Sequence, residues 1–405
     1  MTAALLLAAL VAQTAPPAGP AEQDRGSEEQ RREADLFGGA EPSAPVPRDD
    51  VDVQLAAAND PLTLGGLFYL RLQGVFVEDT DADAQPLSMP NLVDLYADAR
   101  PTDRLRAYAR ARLDHDPTIR DTRVRLDQLW LSFDVERTVF LKLGQQRIKW
   151  GAGQRWNPTD FLNDERYNPI AVFDERLGVP LLKLHLPVES LGWNFYAIGK
   201  LDDAAQVGRV GGALRAELVF GLAEVTLTGY ARRNEPLRLG ADLSAGLGPF
   251  DVRAEVGGAD EDDGWVGQAV GGADVSVAWS DQDDVIVGVE YFYNQAGAAD
   301  PSGYLGLLQS GKGVPLHLGQ QYLAATALLP RPGSWNDTTV IAAAIGNLSD
   351  DTWAAFLRWQ VRVLTHLRFD VQGTALFGKE GGEFRYGPPL PPVRAVLGAG
   401  LAMDL

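Results

Sequence analysis

From about Leu62 onward, apolar and polar residues alternate with a period of two, the period of a β-strand with unlike faces. Residues 104 to 113 show it cleanly. Leu105, Ala107, Ala109, Ala111 and Leu113 share one face, and Arg104, Arg106, Tyr108, Arg110 and Arg112 share the other. The pattern recurs over Val93–Arg100, Phe250–Val256, Thr352–Val363 and Leu367–Ala375. Within 123–135 it drifts in phase, as a β-bulge would make it do. Four arginines on one strand face are too costly in a dry core. A wall with lipid outside and a wet lumen inside accommodates them. The alternation predicts strands near 62–77, 90–100, 103–113, 123–135, 137–149, 179–186, 192–200, 208–219, 222–233, 237–247, 249–258, 268–280, 283–293, 320–329, 336–347, 351–363, 366–377 and 392–404.

The connections sort by length. Those after even-numbered strands are short, as at Pro101-Thr102, Glu136-Arg137, Leu247-Gly248 and Leu364-Thr365. Those after odd-numbered strands are longer, as at 78–89, 150–178, 294–319 and 378–391, with 346–350 a short exception. Short periplasmic turns alternating with long extracellular loops are the asymmetry of a bacterial outer-membrane barrel. Aromatic residues fall at both strand ends: Trp193, Phe220, Phe250 and Trp279 near the short turns, Tyr291, Tyr293, Trp353 and Phe377 near the long loops. Two interfacial girdles have this form. The expected fold is all-β, a transmembrane antiparallel β-barrel of 16–18 strands over residues 61–405.

Composition narrows the picture further. No run reaches the roughly 18 apolar residues that a membrane helix needs, so a membrane reading requires a closed barrel whose backbone groups are all paired. Cysteine is absent, which excludes disulfides, thiolate metal sites and a cysteine nucleophile. The net charge of −19 argues against nucleic acid as a partner. Ala3–Ala12 is an apolar run too short to span a bilayer, and residues 1–15 read as a signal peptide, although no Lys or Arg precedes the run. Residues 16–60, rich in Pro, Gly and charge, cannot bury a core and read as a disordered or short-helical periplasmic tether.

The most distinctive stretch is Leu143-Gly144-Gln145-Gln146-Arg147-Ile148-Lys149-Trp150-Gly151-Ala152-Gly153, followed by Asn157-Pro158-Thr159-Asp160. A strand carrying Gly-Gln-Gln-Arg, then Trp-Gly, then Asn-Pro-x-Asp resembles a segment of porin-like outer-membrane barrel families of Gram-negative bacteria. The strict resemblance covers about 20 residues and the barrel pattern covers the rest loosely. The C-terminal alternation Leu401, Met403, Leu405 also resembles the terminal strand of outer-membrane proteins, with Leu where Phe or Trp is usual. The resemblance implies that the loop after the fifth strand folds into the lumen. Trp150, Gly151, Arg155, Asn157, Asp160, Asp164, Glu165 and Arg166, with Arg147 and Lys149, are then constriction candidates. A plug, or a cover over the barrel mouth, is the alternative.

The second feature is a basic wall. Arg104, Arg106, Arg110, Arg112, Arg123, Arg125, Lys142 and Arg147 are expected to line the lumen with Asp94 and Asp98, and Asp127 lies near enough to pair. Excess arginine would attract anions; a neutralised salt-bridge ladder is the other reading. Acidic clusters at Asp79-Asp81-Asp83 and Asp260–Asp263 match no calcium-loop pattern and read as solvated loops. No metal site or cofactor is expected. The four histidines form no metal-spaced pair, and no G-x-S-x-G elbow occurs. His115, between Asp114 and Asp116 in a predicted outer loop, is the only candidate for a barrel hydrolase, so no enzyme is expected. The resulting expectation is passive diffusion of small, anionic solutes. Export of an acidic polysaccharide and a plugged structural or adhesion barrel are the alternatives. The expected partners are outer-membrane lipid, lipopolysaccharide and the barrel-assembly machinery.

Overall fold

The computed structural model describes residues 61–163, 176–202, 206–278, 280, 283–310, 313–314, 316–385 and 393–405. The predicted signal peptide and tether lie outside them. Eighteen strands form the wall: β1 (Leu62–Val77), β2 (Asn91–Thr102), β3 (Leu105–Asp116), β4 (Asp121–Val135), β5 (Val139–Gln146), β6 (Val179–Val188), β7 (Trp193–Lys200), β8 (Gly211–Phe220), β9 (Ala223–Ala231), β10 (Arg238–Leu247), β11 (Phe250–Glu261), β12 (Gly264–Ala278), β13 (Asp284–Asn294), β14 (Gln321–Pro330), β15 (Thr338–Asn347), β16 (Thr352–Leu364), β17 (Leu367–Gly378) and β18 (Val393–Asp404). Each pairs antiparallel with its sequence neighbours, and β18 closes on β1 from Leu67↔Asp404 to Val77↔Val393. The count is therefore 18 rather than 16. A two-residue strand, Leu87–Ser88, also pairs with Gln73 and Gly74 of β1, following on from the β1–β2 pairing. The only α-helix among the described residues is α1 (Tyr304–Gln309), in the stretch expected to be loop.

The alternation read from sequence becomes inside and outside. On β1, Leu64, Leu70, Leu72 and Phe76 are exposed outward, while Tyr69, Arg71, Gln73 and Val75 are buried inside. Outward leucines, valines and aromatics recur around the wall, including Phe220, Phe250, Tyr291, Tyr293 and Phe377 of the expected girdles. Trp279 lies outside the described residues. A continuous apolar outer surface of this kind is what a wall facing hydrocarbon requires.

The phase drift in β4 is a bulge. Arg110 pairs with Gln128 and Ala111 with Leu126, so Asp127 is the extra residue. Before it Val124 and Leu126 face out; after it Leu129, Leu131 and Phe133 do. A bulge leaves backbone groups unpaired, and here both carbonyls find donors. Gln145 Nε2 donates to the Leu126 carbonyl (2.8 Å) and the Gly178 amide to that of Asp127 (3.1 Å).

Three expectations change. The fifth strand, predicted over 137–149, stops at Gln146, so Arg147, Ile148 and Lys149 leave the wall. The loop asymmetry is weaker than expected, because 117–120 and 262–263 join 348–351 as short outer connections. His115 belongs to the end of β3 rather than to a loop, where its Nδ1 meets Thr122 Oγ1 at 2.8 Å.

Candidate functional site

The chain leaving β5 turns into the barrel. Trp150, Gln154, Arg155, Trp156, Asn157, Thr159, Asp160, Phe161 and Leu162 are all buried, although no strand contains them. The segment 147–163 is pinned at two walls. Trp150, Phe161 and Leu162 pack with Val179, Leu181, Ile198, Ala213 and Tyr230 of β6–β9. Trp156 stacks on Phe292 of β13 (centroids 5.2 Å apart) and tilts against Tyr322 of β14 (5.7 Å).

Two wall carboxylates clasp its backbone. Glu290 on β13 accepts the amides of Gln154 (2.7 Å), Arg155 (2.8 Å) and Trp156 (3.1 Å). Glu255 on β11 accepts those of Gly153 (2.9 Å) and Thr159 (2.6 Å), plus the Thr159 hydroxyl (2.8 Å). Gln154 also donates to Asp274 on β12 (2.7 Å), and Arg253 bridges Asp274 and Glu290. A carboxylate collecting several N–H groups replaces the water that an irregular buried backbone would otherwise need. The wall is flattened to receive the segment. A side chain at Gly257 would strike the Pro158 carbonyl, and one at Gly240 would lie 2.6 Å from Thr159 Cγ2. Asn157 donates to the Gly153 carbonyl, and Asp160 is held by Arg176 and by Asn163 (2.8 Å).

Of the constriction candidates, Trp150, Gly151, Arg155, Asn157 and Asp160 come together inside the barrel. Asp164, Glu165 and Arg166 lie outside the described residues. Of the wall candidates, Arg110 and Arg112 converge on Asp94 (2.6 and 3.0 Å), with Asp127 further off (3.7 and 3.8 Å) and Arg147 joining Asp127 at 3.1 Å. Arg106 and Arg100 share Asp98, at 2.9 Å each. Arg125 pairs with Asp114 (2.6 Å) and Arg123 with Asp121 (2.8 Å) near the outer end. Lys142 lies over Trp130 at 3.6 Å. Arg104 is a correction: it sits exposed in the turn between β2 and β3, because the strand begins one residue later. The arginines thus form a ladder of ion pairs along this wall.

Sequence reasoning missed the other half of that wall. Barrel closure brings Arg71 of β1, Arg358 of β16 and Arg368 of β17 to the same side. Tyr69 reaches past Gly400 of β18 to donate to Asp370 on β17 (2.9 Å), which Arg358 also meets at 3.4 Å. The alternation of Arg358, Arg362 and Arg368 was visible, but not their neighbours across the closing seam. Also missed was a row of inward rings, Tyr96, Tyr108 and Trp130, stacked at 5.9 and 5.3 Å across β2–β4. Among the described residues no group of three or more His, Asp or Glu is placed to hold a metal ion.

No family model matches the chain, and no curated protein matches it. Solved structures do. A BenF-like porin from Pseudomonas fluorescens Pf-5 superposes with a TM-score of 0.54 at 12% identity, covering 85% of this chain and 98% of its own. The outer membrane protein opdK from Pseudomonas aeruginosa gives 0.53 at 10% identity, with the same coverage. A mutant porin of Rhodopseudomonas blastica gives 0.45 at 11% identity, over 85% of this chain and all of its own. For the first two, at these identities, the likeness is one of fold: a closed antiparallel barrel of the porin type, here with 18 strands.

Proposed function

We propose that the protein is an outer-membrane channel for small solutes, anions in preference, with the segment 147–163 as its constriction. The observation that carries the reading is the clasp of that segment by Glu255 and Glu290, which holds irregular chain inside a barrel that would otherwise be wide open. Charge preference follows from the arginine side. Most of the ladder is neutralised, but Arg106, half-buried beside Trp130, stands nearer solvent than Arg110 or Arg112. A guanidinium that solutes can reach biases a pore toward anions even where its neighbours are neutralised by carboxylates.

Planar-bilayer recordings of the refolded chain under a salt gradient test this. Stable current steps with an anion-selective reversal potential are expected. Arg106→Glu should move that potential toward cations, and Glu255→Ala with Glu290→Ala should enlarge the steps by releasing the segment. Cation selectivity in the parent would remove the anion preference while keeping the channel. A second reading, a barrel closed by an internal plug, is favoured by the density of the interior. Trp156 is 1% exposed, and Leu162 and Asp127 are fully buried. Silence from the folded parent with conduction by the double variant would establish that plug.

A further inference from the structure

The outer mouth on the β13–β18 side is tied by a buried polar network that the channel reading does not use. Tyr304 of α1 donates to Asp350 Oδ2 at 2.8 Å, and Tyr322 of β14 donates to Glu383 Oε2 at 2.6 Å. Asn347, at the end of β15, donates through Nδ2 to both carboxylates, at 3.1 and 2.9 Å. The Glu383 amide donates to Asp350 Oδ2 (2.7 Å), and the Leu318 amide donates to Glu383 Oε1 (3.2 Å). Thr352 of β16 donates to Asp350 Oδ1 through its amide (2.9 Å) and its hydroxyl (2.5 Å). Three connections that leave the wall therefore meet at two carboxylates: through Tyr304 and Leu318, through 348–351 and through 379–385. Leu316 and Phe384 then join Trp156, Phe292 and Tyr322 in one apolar cluster, so the knot also backs the constriction segment.

Every donor in the knot is neutral. Among the described residues neither Glu383 nor Asp350 has an ion pair. The titratable groups that face Glu383 are Asp350, Tyr304 and Tyr322, none of them cationic. Arg385 turns away to Glu78 and Glu380, each at 3.7 Å. The ring of His317 packs edge-on to Phe292. Two buried carboxyls without a cation cannot both ionise cheaply.

We propose that Glu383, packed beside Asp350, is a proton-operated latch, in which a proton on Glu383 holds 316–320 and 381–385 against β15 and β16, and its loss releases them. Burial first, and then the Asp350 charge, push the Glu383 carboxyl from 4.5 up to about 7, against the hydrogen bonds from Tyr322 and Leu318. A carboxyl with a raised value stabilises the closed form at low pH. That stabilisation is complete below about 4.5 and is lost as pH rises to about 7. The released stretches also support Trp156, so on the channel reading the mouth loosens toward neutral pH.

Hydrogen exchange, corrected for the intrinsic pH dependence of amides, reads the latch whether or not the barrel conducts. In the parent, amides of 316–320 and 381–385 should lose protection by up to roughly tenfold per pH unit between pH 4.5 and 7, while wall strands keep theirs. Glu383→Gln should hold protection flat across that range. Equal protection in the parent at both limits, or parallel loss in Glu383→Gln, would overturn the latch. If that variant fails to fold, as judged by heat-modifiable gel mobility, Asp350→Asn replaces it. Removing the neighbouring charge should lower the pH at which Glu383 ionises, and an unmoved transition would sink the proposal.

Discussion

Asp94 carries more of the lumenal wall than any arginine beside it. One carboxylate takes both Arg110, through a two-point contact at 2.7 and 2.6 Å, and Arg112 at 3.0 Å, and all three are buried. Bidentate guanidinium–carboxylate geometry fixes both partners as well as attracting them. Removing one member of a buried set leaves the others uncompensated, so Asp94→Ala should destabilise the barrel by roughly 3–5 kcal/mol. Urea unfolding in liposomes measures this, and a loss below about 1 kcal/mol, the scale of an exposed pair, would mean that the wall is wet and that its arginines are more available to solutes. The sequence showed that these side chains share the lumenal face, because a period of two is all that requires. It did not show whether they were paired. Pairing depends on which residue of β2 lies opposite which of β3, and the register Asp94↔Arg112 is set by the turn and by the register shift between Ala99 and Thr102 beside it.

At the scale of elements, the wall was legible nearly strand by strand, because each strand has an apolar outer face and a polar inner face and neither tolerates a slip. The segment 147–163 was legible only as a loop with distinctive residues. Its position rests on partners such as Glu255 and Glu290, 96 to 136 residues downstream, and nothing in a period of two points across a lumen. The resemblance to porin-like segments supplied the expectation that it turns inward; the clasp that holds it became visible only with the fold. The bulge in β4 gives an element-scale test. Gln145 is a polar residue on the outer face of β5, opposite Leu129, and its amide donates to the carbonyl that the bulge leaves free. In hydrocarbon that carbonyl has no water to turn to. Gln145→Leu raises the hydrophobicity of a lipid-facing site, yet it should destabilise by about 1–3 kcal/mol through the orphaned acceptor. Unfolding in liposomes would reveal a stabilising effect instead if the bulge lay in the headgroup region.

For the whole molecule, on the membrane reading, closure and membrane seating are one requirement. β18 pairs with β17 on one side and β1 on the other, so no strand edge remains for lipid to leave unsatisfied. The outer surface then has to match hydrocarbon at mid-height and the interfaces at its ends, which is where Phe220, Phe250 and Phe377 project. That match predicts a depth dependence that no soluble barrel would show. Leu70 faces outward near the middle of β1, whereas Leu247 faces outward at the short-turn end of β10. A charge at the bilayer midplane costs roughly 2–4 kcal/mol and near an interface about 0–1 kcal/mol. Leu70→Arg should therefore lower folding stability in liposomes by the larger amount and Leu247→Arg by the smaller. In detergent micelles, which deform around a charge, the gap should narrow. Equal, small costs at both sites would mean that the apolar wall is covered by something other than a bilayer, and the membrane reading would fall with it.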